Sequence, residues 1–215
     1  LSSEVCSSDL CIRPEPRRRR SHRRTGTAGR GERQLGALVN LAEKAVSTSQ
    51  LDPSDKVSLG LKIAGWATNQ VGNPRMAEAL YRKVLESDAE HREALEALSE
   101  LLAGLGRFED LLPVLRRQAD VAYDFSAKKE ILVRAAQIAV NELSQMRTAM
   151  DFYRAVLEQD ESDLEALDAL ISLTEGQTEP DYAALTDLLL SRSQFTGDVN
   201  DANRFRHRAA TLCTG

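Results

Sequence analysis

Residues Ala77 to Leu98, AEALYRKVLESDAEHREALEAL, return 72 residues later as Ala149 to Leu170, AMDFYRAVLEQDESDLEALDAL, with twelve of twenty-two positions identical and no gap. An internal repeat of this length constrains the fold more than any other feature. It requires one supersecondary unit copied along the chain, each copy burying its apolar face on its neighbours. Stacks of this kind mostly work by presenting an extended surface to another macromolecule.

From Gln34 onward, apolar residues recur three and four apart, broken about every dozen residues by short polar or glycine-containing stretches. This spacing predicts consecutive amphipathic helices. The expected spans are 32–48, 55–70, 74–87, 91–104, 107–122, 126–142, 145–158, 162–174, 180–193 and 199–213. Ten helices make five antiparallel pairs, because connections of about three to five residues force sequential helices to lie side by side. Several boundaries have a local cause. Asp52-Pro53-Ser54-Asp55 sets a pre-proline turn with Ser54 as the expected N-cap, and Gly72-Asn73-Pro74 ends one helix and places proline at the start of the next. Gly104-Leu105-Gly106 is read as a helix stop, and Pro113, inside a predicted helix, as a surface irregularity that kinks the stack.

Within one unit, Leu95, Leu98, Ser99, Leu102, Gly106 and Phe108 follow a recognisable order, and Ala77 with Tyr81 and Ala149 with Tyr153 supply a small residue and an aromatic in two others. On these residues the chain resembles the tetratricopeptide repeat (TPR) family, helix-turn-helix units of about 34 residues. The resemblance covers about 180 residues from Gln34. It implies an all-α fold, an α-solenoid of antiparallel helix pairs wound as a right-handed superhelix, acting as a protein-binding scaffold. Small residues at Gly65, Ala77, Ser99 and Ala149 would let helices approach closely, with Tyr81 and Tyr153 filling the space beside them.

The chain departs from the family pattern in places. Ala89, Tyr123 and Glu161 stand where a closing proline is expected, and Leu111 and Leu185 where alanine is. First helices follow one another at 34, 38, 34 and 40 residues, so the period is a double unit. Val133-Arg134-Ala135-Ala136 is echoed by His207-Arg208-Ala209-Ala210, and Leu35, Leu38 and Leu41 echo Phe108, Leu111 and Val114. The expectation is a slice of a longer bacterial-type multi-repeat protein, with a true N-terminus missing before Leu1 and self-association possible through uncapped ends.

Residues 1–33 are a different material, rich in Arg, Ser, Gly and Pro and without apolar periodicity, so a disordered basic tail is expected there and a repeat domain over 34–215. The tail holds nine Arg against four acidic residues; from 28 basic and 33 acidic residues in the chain this leaves 19 and 29 beyond it. The run Arg17 to Arg20 with His22, Arg23 and Arg24 reads as a nucleic-acid arm, as an inert tail, or, since SEVCSSDL resembles translated adapter sequence, as an artefact; inert tail or artefact is the expected reading. The acidic remainder disfavours indiscriminate binding to nucleic acid or anionic lipid. No apolar run approaches the roughly 18 residues of a membrane span, and cytoplasmic is the default location.

The family resemblance implies that first helices line the concave face, where Lys62, Glu96, Arg134, Asp168 and Arg208 are equivalent and alternate in sign. We expect these to form a charge ladder in which the scaffold satisfies itself, each exposed pair contributing at most about 1 kcal/mol. One row along, Trp66, Glu100, Ile138, Ser172 and Leu212 are equivalent. Trp66 reads as an aromatic anchor for a partner or as packing between double units, packing being the expectation. With Asn69, the candidate partner-binding set is Lys62, Trp66, Asn69, Glu96, Glu100, Arg134, Ile138 and Asp168. A Lys-Asn carboxylate clamp of the kind some family members use is not expected, because Trp66 stands where Asn is needed and Glu96 and Glu100 would repel a carboxylate. The acidic second and fourth units favour a basic partner segment.

No catalytic constellation is legible. His22, His91 and His207 lie far apart, Cys6, Cys11 and Cys213 sit at the extremities, and there is no phosphate loop, metal pair or nucleophile-base set. The reading is a non-catalytic scaffold without cofactor, binding a peptide or helical segment of a protein partner. The alternatives are an oligomerisation or regulatory segment of a larger protein, and nucleic-acid binding through the tail.

Overall fold

A computed structural model of the chain describes residues 52–214, together with Gly36, Ala37, Leu41 and Lys44, which are helical. The tail over residues 1–33 and the rest of the helix expected over 32–48 lie outside the described residues. The elements are α1 (Pro53–Trp66), running on into a π-helical turn (Ala67–Val71), α2 (Pro74–Ser87), α3 (Arg92–Gly104), α4 (Phe108–Asp120), α5 (Phe125–Asn141), α6 (Met146–Leu157), α7 (Leu164–Glu175), α8 (Tyr182–Phe195) and α9 (Val199–Thr214). With the π turn counted as part of α1, each boundary expected after residue 52 falls within two residues of the observed one. The helices pack in chain order, each on the one before and the one after it. This is the all-α solenoid of helix pairs implied by the TPR resemblance.

Local chemistry fixes the breaks. Asp52, not Ser54, stands at the N-cap of α1, because Pro53 takes the first helical position, where its missing N–H costs nothing. Asn73 caps α2, its side chain accepting a hydrogen bond from Met76 N at 3.2 Å. The stop after α3 is a Schellman turn: Gly106 adopts φ +66°, Gly106 N donates to Ala103 O at 3.1 Å and Arg107 N to Leu102 O at 3.0 Å. His91 and Asp163, 72 residues apart, play the same part at the starts of α3 and α7; His91 Nδ1 accepts from Ala94 N and Asp163 Oδ1 from Ala166 N. Pro113 does not break its helix. α4 is continuous from Phe108 to Asp120, and both Pro113 and Glu109, whose carbonyl loses its donor, are exposed.

The core is a strip of buried side chains, mostly aliphatic with Tyr81, Phe152 and Tyr153 among them, running from Val57 on α1 to Leu170 on α7. A smaller cluster of Ile171, Leu185, Leu189 and Ala209 joins α7, α8 and α9, and Leu188 packs against both. Ala77, Ser99 and Ala149 are buried at the helix contacts with Tyr81 and Tyr153 beside them, as expected. Gly65 is not such a contact, since a Cβ there would meet nothing within 4 Å; Gly60 is, with Val84 Cγ2 at 2.7 Å from where its Cβ would stand.

Candidate interaction surface

The candidate residues all sit on odd-numbered helices or their ends. Lys62 and Trp66 are exposed on α1, Asn69 is exposed in the π turn that extends it, and Glu96 and Glu100 are exposed on α3. Arg134 is exposed and Ile138 half-buried on α5, where Ile138 packs against the core; Asp168 is exposed on α7. Trp66 is 56% exposed, which corrects the expectation that it packs between double units. The cause is local: Ile63, Ala64 and Ala67 turn the buried side of α1 inward, and Trp66 falls on the opposite face with Lys62.

The charge ladder does not form. Lys62, Glu96, Glu100 and Arg134 make no ion pair with any described residue. Asp168 is held instead by Arg192 of α8, with Nε at 2.6 Å and Nη2 at 3.2 Å, and Arg208 pairs with Glu175. The expected rungs sit on separate helices, and each charge that finds a partner finds one on a different row. Apart from Arg208 with Glu175, cross-unit pairing is carried by residues that the ladder did not include. Lys129 of α5 reaches Asp163 and Glu165, at 2.5 and 3.3 Å, and the Asp163 hydrogen bond is the main reason that its ammonium titrates above the ordinary lysine value. Glu78, 6% exposed on α2, is enclosed by Arg82 at 2.9 Å and Arg107 at 2.6 Å, and Arg107 also binds Asp110.

A cleft of 760 Å³ opens at the edge of the stack, between the α2–α3 turn and the connection from α4 to α5. Arg92 lies across its wall, with the guanidinium 3.3 Å from the centroid of the Tyr123 ring and Nη2 donating to Val121 O at 2.8 Å. Arg117 donates to Ala89 O at 2.6 Å. Both arginines are therefore committed to the scaffold, while Asp88, Glu90, Glu93 and Asp120 around them are exposed. A second recess of 210 Å³ shares Arg92 and Tyr123 with the cleft and extends to Glu96, Gln118 and Ile131. Of these residues only Glu96 belongs to the expected set. The signal for Tyr123 was in the sequence as a departure, an aromatic where the family has proline, and it stands 89% exposed.

Among the described residues, no group of three or more His, Cys, Asp or Glu could hold a metal ion, and no helix is long and apolar enough to cross a membrane.

The molecule is thus of the class of helical-pair solenoids. No protein-family model matches the chain, and no curated protein matches it. Among solved structures it is similar to MamA from Desulfovibrio magneticus RS-1, at 13% identity over 86% of this chain and 90% of that one with a TM-score of 0.40. It is also similar to YrrB, described as a TPR protein with an unusual peptide-binding site, at 16% identity over 80% and 91% with a TM-score of 0.37. A third is PilF of Pseudomonas aeruginosa, at 12% identity over 87% and 86% with a TM-score of 0.39. The architecture given above stands on the chain's own helices.

Proposed function

We propose that the chain is a non-catalytic protein-interaction scaffold, its repeat domain spanning 34–215, and that the odd-numbered helices present Lys62, Trp66, Asn69, Glu96, Glu100, Arg134, Ile138 and Asp168 to a peptide or helical segment of a partner. The observation that carries this reading is the open state of that face: a large aromatic is 56% exposed on α1, and four charged side chains on α1, α3 and α5 have no partner among the described residues. Exposed aromatics flanked by unspent polar groups are the material of interface anchors. Photoreactive side chains placed singly at Lys62, Glu100 and Arg134, with Glu86 on α2 as the control, test it in cell lysate. Cross-links to a discrete partner at the odd-helix positions and none at Glu86 support the reading; the reverse pattern overturns it.

A second reading, an oligomerisation segment, draws on the far end of the stack, where Leu190, Phe195 and Val199 are 40%, 39% and 72% exposed. Apolar exposure of this kind invites self-association. Light scattering over a concentration series distinguishes it, since a monomer throughout excludes it.

A further inference from the structure

We propose that α8 and α9 form a latch that opens as one body at the seam with α7, with the Asp168–Arg192 pair as its clasp. The buried strip runs unbroken from Val57 to Leu170, and a second cluster begins with Ile171, the next residue of the same helix. The α8–α9 pair is joined to the stack through Ile171 in that small cluster and through half-buried Leu188 against the large one. Between them α8 and α9 bury the apolar side chains of Leu185, Leu189, Ala202 and Ala209, two of them alanines, whereas α6 alone buries Met150, Phe152, Tyr153 and Val156. In a stack each unit is held by its neighbours alone, so the junction with the least apolar burial opens first.

Charged groups do at this seam what apolar packing does elsewhere. Arg192 of α8, 13% exposed, grips Asp168 of α7 with Nε at 2.6 Å and Nη2 at 3.2 Å, and its guanidinium lies 5.0 Å from the centroid of the Phe205 ring on α9. One side chain thus ties all three helices. Arg208 of α9 also pairs with Glu175, the last residue of α7. Once the seam parts, water solvates both partners of each pair, so opening costs less than at an apolar joint of the same size. The connections place the hinge. Residues 196–198 join α8 tightly to α9, while 176–181 join α7 to α8 and are anchored near their start, where Gln177 Nε2 donates to Met150 Sδ at 3.0 Å. Movement therefore falls on 178–180 and carries α8 with α9. Opening frees Asp168, the one charged member of the candidate set that is ion-paired among the described residues. The latch stands without the scaffold reading; for a partner that pairs with Asp168, it makes release of Arg192 a condition of binding.

Hydrogen exchange of the whole chain, followed by mass spectrometry of its peptic fragments, tests the latch. Amides of α8 and α9 should exchange together, within about threefold of each other, and at least about tenfold faster than those of α3 to α6. Arg192→Met keeps an apolar stem beside Phe205 and removes the clasp. It should speed exchange in both α8 and α9 about tenfold and in α3 to α6 less than about twofold. Arg204→Met removes a cation of α9 whose partner, Asp201, lies on the same helix, and should change none of these rates by more than about twofold. The proposal is overturned if α8 and α9 are protected as well as α3 to α6, or if α9 exchanges fast while α8 does not. It is equally overturned if Arg192→Met speeds exchange evenly throughout the chain or does no more than Arg204→Met.

Discussion

Lys129 Nζ lies 2.5 Å from Asp163 Oδ2, joining α5 to the first turn of α7 across one full unit of the stack. The same aspartate is 8% exposed and accepts a hydrogen bond from Ala166 N at 2.9 Å, so one buried carboxylate both caps a helix and receives a neighbour's ammonium. Asp163→Ala removes both and leaves the ammonium with Glu165 alone, 3.3 Å away. Urea unfolding is expected to show a loss of about 2 kcal/mol, more than loss of a cap alone would give.

The same pair sets a pH dependence. Lys129 titrates above its ordinary value of 10.5, chiefly through the Asp163 hydrogen bond and against the opposing effect of burial. A lysine whose pKa is raised by folding contributes stability that is complete below its unfolded value and is lost as the pH rises through the folded one. Stability should therefore hold up to about pH 10 and fall above it. Lys129→Met should show a shallower alkaline decline in the same titration of Tm.

Gly72 and Ser144 occupy one position in successive double units and share one backbone conformation, φ 63° and 54°. Each is followed by the same wide turn, Asn73 N to Ala67 O at 3.0 Å and Gln145 N to Ala139 O at 2.7 Å. Glycine adopts this left-handed conformation without strain, and serine does not. Ser144→Gly should stabilise the protein by about 1 kcal/mol and Gly72→Ala should destabilise it by a similar amount, both measurable by denaturant midpoint.

Glu78 is matched 72 residues later by Met150, each about equally buried. Where Glu78 takes Arg82 and Arg107, Met150 Sδ takes Gln177 Nε2 at 3.0 Å. The slot accepts an ionic or a thioether filling. Glu78→Met should thus be neutral within about 1 kcal/mol, whereas Glu78→Ala should cost about 2 kcal/mol, the arginines being exposed enough to return to water.

From residue 52 onward, helix number and boundaries were legible because apolar period, Pro, Gly and capping residues all act locally. Asn73, Pro74 and Gly106 do their work within four residues of themselves. The candidate site was legible only by register. Equivalence along the repeat put Lys62, Glu96, Arg134 and Asp168 on one series of helices, but it carries no distances, and the ladder failed because Asp168 finds Arg192 on another row. Trp66 departs from the expectation for a related reason: its hydrophobicity argues for burial, while the inward face of α1 is taken by Ile63, Ala64 and Ala67. Tyr123 and Gln118 depend on where the α4–α5 connection folds back, which no periodicity encodes.

The scaffold reading turns on whether Trp66 serves the core or a partner, and Trp66→Ala separates the two when thermal unfolding and capture of the cross-linked partner are measured on the same sample. An exposed anchor predicts a stability change within about 0.5 kcal/mol and a large drop in capture. A loss of several kcal/mol with capture unchanged would contradict it.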